Sequence, residues 1–132
     1  MPPIFLSLDD VLESHAEQIA TYGGGEGIRD VGLLESALAQ PEAMFGGQYL
    51  HADLFEMAAA YLFHIVQNHP FVDANKRVGL ETALLFLEVN GMSIDTTDEL
   101  LVELVLRTAQ GQTSKPEIAE FLRSHVAPPA DE

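Results

Sequence analysis

Residues 69–77 read His-Pro-Phe-Val-Asp-Ala-Asn-Lys-Arg and lead directly into an apolar run over residues 78–89. Pro70 has no amide hydrogen and disfavours helix at the residue before it, so a helix arriving from upstream should end at His69. A loop follows, and the helical pattern resumes near Asn75 and closes at Asn90 and Gly91, a favourable C-terminal cap. The stretch therefore predicts two helices joined by a short loop that opens the second helix.

The same loop carries a candidate site. Lys76 and Arg77 are adjacent in a chain with only 6 basic side chains, and the free N–H groups of a helix start already favour an anion such as phosphate. Asp73 supplies a hard oxygen ligand suited to Mg²⁺. His69 is the residue here whose proton moves most easily near neutral pH, which suits a general base. Asn75 could donate its side-chain amide to a phosphate.

Each of these residues has a structural alternative. His69 could simply pack at a helix end, and Asp73 or Asn75 could cap the second helix. Lys76 and Arg77 could be ordinary surface charges. Their combination within nine residues favours a functional site over these separate explanations.

The motif resembles the signature of the Fic/Doc family, whose general pattern is His-x-Phe-x-Asp/Glu-x-Asn-Gly/Lys-Arg. The Ala-Asn-Lys-Arg portion is similar to the Doc branch, the death-on-curing toxins of type II toxin–antitoxin pairs; AMP-transferring Fic enzymes carry Gly-Asn-Gly-Arg there. The resemblance to the Doc branch extends over about residues 5–125. Its further features are a glycine segment with Tyr22, Gly23, Gly24, Gly27 and Asp30, the segment of residues 53–56, and the segment of residues 83–87 before Asn90 and Gly91.

The resemblance implies a Mg²⁺- and ATP-dependent kinase that transfers phosphate to a serine or threonine hydroxyl of elongation factor Tu and arrests translation. In this interpretation His69 is the general base, Asp73 binds the metal, and Asn75, Lys76 and Arg77 hold the phosphates. It also implies a Phd-like antitoxin whose C-terminal segment folds as it binds near the site. Two alternatives remain: a Fic-type protein adenylyltransferase and a non-catalytic interaction module. Lys76 and Leu80 replace a glycine and an arginine of AMP-transferring relatives, which favours the kinase.

The fold class that follows is all-α: a compact Fic/Doc-type bundle of about six helices around a buried central pair. Residues 53–68 are apolar nearly all round and should form the first of that pair, with the motif helix, about residues 75–89, as the second. We interpret the glycine-rich segment after residue 21 as a flexible connector. Residues 42–52 lack helical periodicity and, by resemblance, would form a flap or small hairpin beside the active site. We expect one domain over residues 1–126 and a disordered tail over residues 127–132.

Composition limits the other possibilities. The net charge is −15, so a nucleic-acid surface is not expected. There is no cysteine, and no window has the length and hydropathy of a membrane span. A cytoplasmic protein without direct membrane contact is the expectation. His51, His64 and His69 lack the spacing of a zinc site, so none is expected there.

Overall fold

A computed structural model of the chain describes residues 2–128. Its helices are α1 (Leu8–Tyr22), α2 (Val31–Ala39), α3 (Leu54–Asn68), α4 (Asn75–Val89), α5 (Asp98–Ala109) and α6 (Lys115–Ser124). A 3-10 turn, Gln40–Glu42, follows α2, and two short antiparallel strands, β1 (Met44–Phe45) and β2 (Gln48–Tyr49), form a hairpin. The all-α prediction is confirmed.

The core is built around α3, which packs against α2, α4, α5 and α6. Eight of its residues are buried, including Tyr61 and Leu62, because the helix is apolar on almost every side. The closest helix contact is with α4 at Gly79, where an added Cβ would lie 2.9 Å from a methyl carbon of Val66. The predicted central pair is therefore α3 and α4, and together they hold both ends of the motif loop.

Helix starts follow the capping chemistry of the sequence. Ser7 and Ser114 form complete capping boxes with Asp10 and Glu117. Asp30, Asp53 and Thr97 each accept a hydrogen bond from the third residue of their helices. Five helices thus begin where short polar side chains satisfy their first N–H groups.

The small hairpin predicted for residues 42–52 is present as β1–β2, and it packs beside the start of α3. Tyr49 packs against Phe5 with ring centroids 5.7 Å apart, and it lines a cavity with Leu54 and Met57 in the first turn of α3. His69 follows the other end of this 15-residue helix, roughly 20 Å away at about 1.5 Å per residue. The hairpin connects the end of α2 to the start of α3, and this connectivity keeps it away from the motif loop.

Both ends of the described chain are tied to the bundle. The side chain of Asn90 holds the N-terminal segment by two hydrogen bonds to Ile4. Its Oδ1 accepts from Ile4 N at 2.8 Å, and its Nδ2 donates to Ile4 O at 2.9 Å. At the other end Ala127 N donates to Ser93 O at 2.8 Å. Of the tail predicted over residues 127–132, residues 129–132 lie outside the described part. No helix within residues 2–128 is long and apolar enough to cross a membrane.

A second group of histidines meets away from the motif. Lys115 Nζ lies 3.0 Å from His64 Nε2 and 3.4 Å from His51 Nε2, beside a cavity of about 410 Å³ lined also by Glu56, Glu120 and Arg123. Burial, and then the charge of Lys115, lowers the pKa of His64 to about 4. Both imidazoles are therefore neutral acceptors for one ammonium group, an arrangement that the sequence did not predict.

This contact predicts an acid-sensitive fold. The pKa of His64 is about 4 in the folded chain against 6.5 for an ordinary histidine, so the unfolded chain binds the proton first as pH falls. The contribution of neutral His64 to the free energy of unfolding is therefore complete above about pH 6.5, and it is lost progressively as the pH falls towards 4. Urea unfolding at pH 7.5 and at pH 4.5 should show a larger loss of unfolding free energy in the wild type than in His64→Gln. Equal losses would contradict the assignment.

Candidate active site

One small cavity of about 130 Å³ brings together the residues predicted from the motif. It is lined by Ala74 and by all five candidate residues, His69, Asp73, Asn75, Lys76 and Arg77. The C-terminal end of α3 supplies His69, and the first turn of α4 supplies Asn75, Lys76 and Arg77. The site is therefore carried by the two helices that form the centre of the core.

The motif loop is closed by Asn75. Its Oδ1 accepts from Phe71 N at 2.9 Å and its Nδ2 donates to Phe71 O at 3.0 Å. Phe71 is fully buried and anchors the loop, and His15 stacks on it with ring centroids 4.0 Å apart. The side-chain amide of Asn75 is therefore occupied inside the loop.

The start of α4 lacks a side-chain cap, unlike the other five helix starts of residues 2–128. Its N-cap, Ala74, has no side chain that can accept and takes a left-handed conformation with φ 70°. No described group accepts from the N–H groups of Asn75, Lys76 or Arg77. Neither Asp73 nor Asn75 caps the helix, so these donors remain free at the positive end of its dipole.

Asp73 is held beside this helix start. Its Oδ1 accepts from Ala74 N at 2.8 Å and its Oδ2 from Gly25 N at 3.1 Å. These two hydrogen bonds lower the pKa of the carboxyl group, so it is ionised at neutral pH. Each oxygen keeps a free lone pair, which fits a hard divalent cation. No cluster of three or more histidine, cysteine or acidic side chains suited to a metal occurs within residues 2–128.

The two cations at the site differ in their surroundings. Lys76 is exposed and makes no hydrogen bond with another described residue through its ammonium group. Arg77 extends along α1, donating to Gln18 O at 3.3 Å and Gly23 O at 3.2 Å, with its guanidinium 5.5 Å from the centre of the Tyr22 ring. Arg77 is therefore fixed by the end of α1, whereas Lys76 is free to approach a ligand.

The glycine-rich segment after α1 is more than the flexible connector that we expected. Gly25 binds Asp73, Gly27 O accepts from Val72 N at 3.1 Å, and Arg29 N and Asp30 N both donate to Pro70 O. An added Cβ at Gly24 would lie only 2.7 Å from Asp73 Oδ2. This segment therefore forms a wall beside the motif loop.

Sequence reasoning missed two residues that contact this loop. Arg29 donates from Nε to His69 O at 2.7 Å and from Nη2 to Asn68 O at 2.9 Å. His15 Nε2 lies 3.1 Å from Asp73 O. Arg29 could have been found because it is one of only 6 basic residues in the chain and lies between Gly27 and Asp30. No local sequence pattern marked His15.

Comparison with known proteins agrees with this architecture. The model of the Fic/DOC family matches residues 5–87. The chain is 36% identical over 118 residues to "Protein kinase doc" of Escherichia phage P1, covering 89% of this chain and 92% of that protein. It is 35% identical over 123 residues to "Toxin Doc" of Mycolicibacterium smegmatis, with the same coverage of 89% and 92%. The chain belongs to the Fic/DOC family, and the resemblance to its Doc branch is confirmed.

Gly24→Ala tests the wall beside Asp73. The new methyl group must displace the carboxylate from Gly25 N, so the pKa of Asp73, followed by ¹³C NMR, should rise towards its ordinary value. The variant should also lose stability by about 1–2 kcal/mol from its positive φ. Gly23→Ala is the matched control, since Gly23 also has a positive φ but no atom within 4 Å of an added Cβ. An unchanged Asp73 pKa in Gly24→Ala would contradict the contact.

Proposed function

We propose that the chain is the toxin of a toxin–antitoxin pair. It would be an ATP-dependent kinase that phosphorylates a serine or threonine hydroxyl of a translation factor, elongation factor Tu, and so arrests translation and growth in the cytoplasm. The names of the two relatives, one a kinase and one a toxin, support the class of activity. The substrate, nucleotide and metal are inferred from the motif and its geometry.

The observation that carries the proposal is the uncapped start of α4. Three free N–H groups, Lys76 and Arg77 surround one cavity that Asp73 and His69 also line. Such a start binds phosphate through backbone donors and the helix dipole, and the two cations add charge-assisted hydrogen bonds. Phosphoryl transfer needs mainly positioning and charge stabilisation, which this arrangement supplies.

Each residue then has one task. The backbone N–H of Asn75 and the side chains of Lys76 and Arg77 hold phosphate oxygens, while the Asn75 amide keeps the loop closed. Asp73 would hold Mg²⁺, which would supply positive charge that neutralises the phosphate groups. His69 takes the proton of the attacking hydroxyl as its oxygen approaches phosphorus.

Attack at the γ-phosphorus gives phosphorylation, whereas attack at the α-phosphorus gives AMP transfer. Lys76 favours the first outcome because its exposed side chain stands at the cavity, where AMP-transferring relatives leave room with glycine. Leu80 supports the same choice, since it lines an apolar groove and offers no second guanidinium. A non-catalytic module is disfavoured because all five motif residues line one cavity.

The groove between α4 and α5 suits the C-terminal segment of a Phd-like antitoxin. It has a volume of about 180 Å³ and joins Lys76 and Arg77 to an apolar lining of Leu80, Val102, Val105 and Leu106. Val102 is 54% exposed and Leu106 is 43% exposed. A segment with an apolar helical face and an acidic residue at one end would cover these side chains and neutralise the two cations. No Ser/Thr-x-x-x-Glu-Gly/Asn inhibitory motif occurs in the sequence, which favours inhibition by a separate protein.

Transfer from labelled ATP tests the activity. The purified chain is mixed with elongation factor Tu, Mg²⁺ and ATP labelled at the γ- or the α-phosphate. Label should pass only from the γ-position, and His69→Gln should reduce transfer about 10²–10⁴-fold, the usual contribution of a general base.

His125→Gln is the matched control, because His125 also follows the last turn of its helix but lies on α6. Its transfer should equal that of the wild type. Transfer from the α-position alone would replace the kinase with an adenylyltransferase, and no transfer from either position would reject this substrate.

Val102→Glu tests the antitoxin groove. A carboxylate in the apolar lining should weaken binding of a Phd-like antitoxin at least tenfold in calorimetry while phosphate transfer continues, because Val102 does not line the active-site cavity. Val89→Glu is the control, since it adds the same charge to a 40% exposed valine outside the groove. Equal affinity of both variants for the antitoxin would place its binding site elsewhere.

A further inference from the structure

The imidazole of His69 has no orienting partner within residues 2–128. No described group forms a hydrogen bond with its ring nitrogens, and the side chain is exposed. A catalytic base is normally oriented by a third group that binds its second nitrogen. Here the direction of the ring depends on the backbone conformation of residue 69 itself.

That conformation is unusual and is held from outside. His69 is left-handed, with φ 52° and ψ 54°, which costs a residue with a Cβ roughly 1–2 kcal/mol. Such a conformation persists only when neighbouring groups fix it. Its own amide completes α3 by donating to Ile65 O, so the restraint on the following turn has to come from another segment.

Arg29 and Asp30 supply this restraint. Four donors of these two residues bind three consecutive carbonyl groups. Arg29 Nη2 reaches Asn68 O and Arg29 Nε reaches His69 O, while the two backbone N–H groups share Pro70 O at 2.7 and 3.0 Å. The planar guanidinium thus binds the carbonyl group before the left-handed residue and the carbonyl group of that residue itself. Its charge lies at the negative end of the α3 dipole.

We propose that Arg29 is the positioning residue for the general base: its guanidinium fork on Asn68 O and His69 O fixes the left-handed turn that aims the imidazole at the cavity. This inference rests on the proposed function, since it assigns a second residue to the step that His69 performs. Arg29 does not line the cavity, so it acts through His69 and does not contact the nucleotide.

The test separates the fork from the backbone contacts. Arg29→Ala keeps both hydrogen bonds to Pro70 and removes only the guanidinium. We expect kcat for phosphate transfer to fall about 10–10²-fold, as for a misplaced catalytic group, with the KM for ATP unchanged. Arg29→Lys should recover only a small part of the lost kcat, because an ammonium group cannot bridge both carbonyl groups. Millimolar methylguanidinium should restore the kcat of Arg29→Ala more than methylammonium does.

Arg107→Ala is the matched control, since it removes the same charge from an exposed arginine of α5 and should leave kcat unchanged. The coupling between the amide and α hydrogens of His69, measured by NMR, reports its φ without any need for transfer. It should change in Arg29→Ala and remain constant in Arg107→Ala.

The two hypotheses fail in different ways. A wild type that transfers no phosphate would overturn the proposed function, while the His69 coupling would still decide whether Arg29 fixes the turn. Unchanged kcat and unchanged coupling in Arg29→Ala would overturn the positioning role. A parallel fall in kcat and in thermal stability without a change in the coupling would also overturn it and leave Arg29 a purely structural residue.

Discussion

The pair of hydrogen bonds between the Asn75 side chain and the backbone of Phe71 closes the motif loop, and the rest of the site depends on it. Asn75 is the first residue of α4 and is 4% exposed, so its amide links the helix start directly to the buried anchor of the loop. An unpaired backbone group at Phe71 would be costly in this dry position. With the loop closed in this way, Ala74 adopts its left-handed turn, and the first N–H groups of α4 face the cavity instead of a capping side chain.

The left-handed residues His69 and Ala74 bound this loop, and each is a non-glycine residue in a strained conformation. Strain of this kind is retained where surrounding contacts determine it, and it is concentrated at functional sites. At one end Arg29 binds the carbonyls of residues 68 and 69, and at the other Asn75 and Asp73 bind the loop from within. The packed pair α3 and α4 forms a rigid base, so the loop is held in one shape before any ligand arrives.

The distribution of charge is consistent with the phosphate site proposed for this acidic chain. A net charge of −15 repels nucleotides at long range, yet Arg29, Lys76 and Arg77, three of the 6 basic residues, meet around this one loop. Two more, Lys115 and Arg123, line the cavity beside α6. Local N–H donors and cations therefore act at short distance, where salt screens little, and the surrounding acidity opposes less specific binding of anions.

The sequence alone determined the helices, their polar caps and the motif, because these depend on neighbours within a few residues. The local signals are a proline after His69, a serine, threonine or aspartate before five of the six helices, and nine contiguous motif positions. It could not determine which distant segment covers the loop. The contacts of residues 25–30 with the loop and the roles of His15 and Arg29 therefore stayed hidden. Only the packing of α1 and α2 against the central pair brings residues 15 and 29 to the loop, and contacts between segments 40 to 58 positions apart leave no local periodicity to read.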